Sequence, residues 1–272
     1  MKRVYLAITM SLLLSSSAFA HFQMLYTPES ALEKGATIEL REVFTHPFAD
    51  EHTMDMGKQH DSEENSSVEA FYVINKGKKK DLLNTLQTIT WTGSHNTAAA
   101  YKSQYKAKRM GDHLFILQPA PYYEAGEDIY IQQITKMVVN VAGAPTDWDT
   151  ELCLKAEIVP LIKPYSIWTG STFTGIVKGN GKPVPFAEIE VEYLNRDVNL
   201  TNNAMGPSYI AAPQDSFVTM GIKADANGQF TFGLPRAGWW GFCALGAGSD
   251  KEYKGKELSQ DAVIWVQVKD MK

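Results

Sequence analysis

The chain has 272 residues, 44% of them apolar, with 26 Lys and Arg against 31 Asp and Glu for a net charge of −5. That is enough apolar material for the core of one large domain or two ordinary ones. A mildly acidic chain without a concentrated basic face excludes nucleic acid and anionic lipid from the expected partners.

Lys2 and Arg3 precede an apolar stretch that runs to residue 14, and Ala18-Phe19-Ala20 then supplies the small-x-small pattern of a signal-peptidase site. Residues 1–20 are expected to be a cleaved signal peptide, and the mature chain to reside in a bacterial periplasm. No later apolar run approaches the ~18 residues that a span requires, so no membrane span is expected in the mature chain. Cleavage would leave His21 at the N-terminus. A terminal histidine offers its α-amine and its ring Nδ1 to one metal ion as a chelate, which an internal histidine cannot do.

Almost every later segment reads as strand. Phe22 to Thr27 and Thr37 to Thr45 are rich in β formers, and Val68 to Ile74 follows. Lys76 to Lys80 is a solvated hairpin turn. From Tyr101 to Lys108 apolar and polar residues alternate, the period of a half-exposed strand. His113 to Gln118, Ile129 to Val141 and Leu152 to Ile158 have the same character. Pro160 and Pro164 mark a join. Beyond it Ala187, Ile189, Val191 and Tyr193 alternate with Glu188, Glu190 and Glu192, Asp225 to Gly228 reads as a hairpin turn, and Ala262 to Val266 as a central strand. The expected fold is all-β: two β-sandwich domains, residues 21–160 and 165–272. Cys153 and Cys243 could form a disulfide in an oxidising compartment or remain two buried thiols.

One stretch interrupts this pattern. Residues 46–60 contain His46, His52, His60, Met54 and Met56 without strand periodicity, and a polar run follows, so a long surface loop is predicted. If Phe22–Thr27 and Thr37–Thr45 form an antiparallel pair in which 28 faces 37, then 21 faces 44. His21 and His46 then end at one edge of the sheet, within reach of one ion, and a slip of one or two residues preserves this. Met54 and Met56 are either further ligands or caps on the hydrophobic edge. His52 and His60 are spare ligands or polar loop residues. His95 sits in a turn and is incidental; His113 either approaches the same edge or is a satisfied half-buried histidine. Imidazole and amine donors suit nickel, cobalt, copper and zinc alike, whereas thioethers favour copper(I). No G-x-S-x-G or activated cysteine organises a hydrolase, and an enzyme is not expected. The pairs Tyr122-Tyr123 and Trp239-Trp240 could stack on sugars but fit core packing better.

The chain resembles a bacterial family of periplasmic proteins regarded as substrate-specific components of nickel/cobalt uptake systems, formerly a domain of unknown function. The resemblance spans the mature chain. It rests on His21-Phe22, on His46-Pro47-Phe48 with Met54-Asp55-Met56, and on Pro119-Ala120-Pro121-Tyr122-Tyr123-Glu124. Gly181-Lys182-Pro183-Val184-Pro185 and Leu234-Pro235-Arg236-Ala237-Gly238-Trp239-Trp240-Gly241 complete it. The second half also looks like a transthyretin-like, carboxypeptidase-regulatory sandwich. The resemblance implies nickel or cobalt delivered to a membrane transporter, with His21 and His46 at family-pattern positions. The open alternatives are a copper chaperone, a copper monooxygenase built on a histidine brace, and a carbohydrate-binding module.

Overall fold

Alternating apolar residues and frequent turns leave the backbone little choice but paired strands, and the computed structural model, which describes residues 21–56 and 68–271, is built almost wholly from them. Among the described residues the helical pieces are two three-residue 3₁₀ turns, Leu83–Thr85 and Asp215–Phe217. The predicted signal peptide, His60 and the end of the predicted 46–60 loop lie outside the described residues.

Among the described residues the strands form three sheets of seven, twelve and four strands. The seven-stranded sheet begins with Phe22–Tyr26, followed by Ala36–Thr45, Thr97–Ala107 and Gln87–Thr92. The twelve-stranded sheet lies in the middle of the stack. Successive residues of its strands feed two different cores: Val263 and Trp265 pack toward the seven-stranded sheet, and Ile264, Val266 and Val268 toward the four-stranded one. Phe115 and Leu117 alternate with Leu114 and Ile116 in the same way. Burial on both faces accounts for the unbroken apolar run predicted as a central strand. Each such side chain taken fully from water contributes roughly 1.5–3 kcal/mol before entropy is subtracted.

The all-β sandwich layering follows the sequence pattern, but the two halves share a sheet. Ile129–Val141 from the first half pairs in parallel with Lys256–Lys269 from the second, from Tyr130 opposite Leu258 to Met137 opposite Trp265. Arg196–Asn199 and Ala204–Ser208 in turn extend the seven-stranded sheet. The Asp225–Gly228 turn forms, with the Asp225 carboxylate accepting from the backbone of Asn227 and Gln229. It is not a hairpin, because Met220–Lys223 belongs to the middle sheet and Gln229–Gly233 to the four-stranded one. Local turn chemistry cannot tell a hairpin from a step between layers. Cys153 is exposed and Cys243 buried, and both are free thiols.

Candidate metal centre

Among the described residues the strand Phe22–Tyr26 ends the seven-stranded sheet, so one side of its backbone has no neighbouring strand there. Side chains of the middle sheet take that place. Gln133 Oε1 accepts from Gln23 N–H at 2.7 Å, its Nε2 donates to the His21 carbonyl at 2.7 Å, and Trp265 Nε1 donates to the Gln23 carbonyl at 3.0 Å. Phe22 lies over Gly241, where a Cβ would sit 2.9 Å from its ring. A bare backbone at Gly241 therefore lets this strand approach the middle sheet. These contacts fix the backbone of His21.

The strand pairs antiparallel with Ala36–Thr45, Phe22 facing Thr45 and Tyr26 facing Arg41. The register is two residues away from the expected one, because the intervening chain does not make a simple turn. Ala31–Leu32 leaves to pair in parallel with Asn140–Val141, and Ser30 N–H donates to Gln267 Oε1 at 2.8 Å. The slip improves the predicted meeting: continuing the ladder by one residue puts His21 directly opposite His46. Thr53–Met54 pairs on the other side of the same strand, Thr53 opposite Thr45, and the next residue along is His52 opposite His46. Residues opposite one another in an antiparallel ladder project from the same face. Continued by one residue, the two ladders bring His21 and His52 to either side of His46, and His52 lies near enough to lower the pKa of both other rings.

The turn that carries His46 is held from the second half of the chain. Asp50 N–H donates to the His46 carbonyl at 2.8 Å. Asn195 N–H donates to Pro47 O, and Arg196 Nη2 to Ala49 O. Phe48 N–H donates to Glu192 Oε2, and the Phe48 ring enters the core beneath the four-stranded sheet. Ser94 donates to Asp50 Oδ2 through both N–H and Oγ, and Asn96 exchanges hydrogen bonds with the Thr53 backbone. The turn containing exposed His95 therefore braces the loop.

The rings of His21 and His46 stand edge to face with centroids 4.8 Å apart. Glu124 Oε2 lies 3.4 Å from His21 Nε2, and Glu51 Oε2 lies 3.4 Å from His46 Nδ1. Burial, reinforced by His46 and His52, lowers the His21 pKa to about 3. Burial and then His52 lower that of His46 to about 4, against the opposing pull of Asp50 and Glu124. Both rings are neutral near pH 7, the state a metal requires of an imidazole. Among the described residues, side chains of His, Cys, Asp and Glu nowhere form a ready-made group of three that could hold an ion. A centre here therefore needs a donor of another kind, and the α-amine of a terminal His21 is one.

The other predicted residues are placed differently. Met54 and Met56 are 1% and 6% exposed and belong to the core, where Met56 Sδ accepts from Gln23 Nε2. They cap the sandwich edge from within. His113 does not approach this edge. Its Nδ1 meets Tyr105 Oη at 3.2 Å, and Tyr105 pairs with Ile38, seven positions along the strand from Thr45 and so roughly 23 Å away at the usual rise. Its Nε2 lies 2.9 Å from the Arg109 carbonyl, which makes it a satisfied buried histidine. Trp239 and Trp240 are buried and present no sugar platform. Glu124, Glu51 and Gln133 were not singled out by spacing. Glu124 stands in the Pro119–Glu124 motif, but nothing local to that motif shows that it faces His21.

A family model described as a domain of unknown function, DUF4198, matches residues 18–248. No curated protein matches the chain. Among solved structures, the D0-D1 domain of intimin is 12% identical, with 91% of this chain and 100% of that one covered at a TM-score of 0.21. A putative carbohydrate binding protein from Bacteroides uniformis ATCC 8492 is 10% identical, with 79% and 96% covered at a TM-score of 0.25. Scores this low carry no argument about chemistry. The family match alone covers most of the chain, and the protein belongs to the DUF4198 family.

Proposed function

We propose that the mature protein begins at His21 in the periplasm and binds one divalent transition-metal ion there, nickel or cobalt, for delivery to a membrane uptake transporter. The observation that carries this reading is the His21–His46 ring pair at 4.8 Å. The α-amine and Nδ1 of His21 would chelate the ion, His46 would add a second imidazole, and His52 would stand nearby. The cleavage pattern after Ala20 and the family resemblance supply the periplasmic and transport parts of the proposal. Withdrawal of Met54 and Met56 into the core removes the thioethers that a copper(I) chaperone would use. Copper(II) remains chemically compatible, since it outbinds nickel(II) at almost any nitrogen-rich site.

The test is calorimetric titration of Ni²⁺ into protein that starts at His21 and into the same protein with one alanine added in front. The extension blocks the chelate and leaves the fold intact, so tight binding should be lost. Equal affinity of the two proteins would end the proposal.

A further inference from the structure

We infer that Glu124 and Glu51 are positioning residues that assign opposite nitrogens of the two histidines to the metal: Nδ1 in His21 and Nε2 in His46. The inference rests on the chelate proposed above.

An α-amine and the imidazole of the same residue can close a small ring around an ion only through Nδ1, because Nε2 lies on the far side of the heterocycle. A chelating His21 must therefore carry its remaining ring proton on Nε2, and that nitrogen faces a carboxylate. Glu124 Oε2 stands 3.4 Å away, and its other oxygen is already committed, accepting from Gly126 N–H at 3.0 Å within its own turn. The carboxylate is thus held by its own hairpin with one oxygen turned to the imidazole. The hairpin is itself fixed. Tyr122–Glu124 pairs with the middle-sheet strand, Glu124 opposite Ile129. The Tyr122 ring packs against Phe44 at 5.4 Å, and Phe44 against His21 at 5.6 Å.

At His46 the arrangement is reversed. Glu51 Oε2 faces Nδ1, also at 3.4 Å, which assigns Nε2 as the nitrogen presented to the ion. Metal-bound histidines characteristically give their other N–H to a carboxylate, which fixes the tautomer and strengthens the ligand. A separation of 3.4 Å is slightly beyond a full hydrogen bond, so each pair should tighten when the ion draws charge from the ring.

The measurement is long-range ¹H–¹⁵N correlation NMR on the Zn²⁺-loaded protein that begins at His21, with Ni²⁺ affinities by calorimetry. The expected result is His21 bound through Nδ1 with a proton on Nε2, and His46 with the opposite assignment. E124Q, on a partly exposed hairpin, should keep the wild-type melting temperature but lose roughly 10–100-fold in Ni²⁺ affinity, the usual effect of removing such a partner. E124D should recover part of that loss. The same tautomer in both histidines, or unchanged affinity in E124Q while the alanine extension still abolishes binding, would overturn the inference alone. If the extension has no effect, the chelate and the inference fall together.

Discussion

Burial holds the pKa of His21 near 3 and that of His46 near 4, so between pH 5 and 8 neither ring takes up a proton. The α-amine of a terminal His21 does, with a reference value of about 8. Protons should therefore compete with the metal at one nitrogen only, and Ni²⁺ affinity should fall about tenfold for each pH unit below that value. Calorimetry at several pH values between 5.5 and 7.5 checks this; a slope of two protons would mean that an imidazole titrates as well. The methionines provide a second residue-scale test. With both thioethers in the core, M54L and M56L should leave Ni²⁺ binding unchanged and cost less than about 1.5 kcal/mol each in urea unfolding, as near-isosteric swaps do. A large loss of metal affinity in either variant would return the sulfurs to the ligand set.

At the scale of elements, the centre depends on an edge strand whose missing neighbour is replaced by side chains. Gln133 spans Gln23 N–H and the His21 carbonyl, so Q133A leaves both groups buried without that partner. The expected cost is ~1–3 kcal/mol in denaturant unfolding, accompanied by weaker metal binding as the strand end loosens. Loss of stability without loss of affinity would show that His21 is held by the metal site and not by the strand. The meeting of His21 and His46 was legible in the sequence because strand pairing is arithmetic, and a two-residue slip moved them closer. Glu124 and Gln133 were not legible. They arrive from strands about a hundred residues away, and nothing in the spacing of the first sheet indicates which side chains of the middle sheet will lie against its edge. His113 stayed open between two readings for a related reason: periodicity located its strand but not which end of the sandwich that strand's start would occupy, and the structure selects the satisfied buried histidine.

At the scale of the whole molecule, the loop carrying His46 is tied to the second half through Glu192, which accepts from Phe48 N–H and from the Thr219 hydroxyl. The charge on this carboxylate decides what the tie costs. Complete burial raises its pKa to about 8, despite those two donors. A group whose pKa is raised on folding binds more protons in the native state, so its contribution is full below the unfolded value near 4.5 and is lost as pH rises toward 8. The slope from one such group is at most about 1.4 kcal/mol per pH unit. Glu190, raised to about 7 by burial and then by Asp261, acts in the same direction, whereas His21 and His46 oppose both below pH 6.5. Subtracting the stability of E192Q from that of the wild type isolates Glu192, because the other groups are common to both proteins. The difference should turn steadily in favour of E192Q from pH 5 to 8, read from urea unfolding at each pH. A difference that stays flat across this range would mean that Glu192 is already ionised in the native protein, and that the His46 loop is joined to the second half by a charged tie.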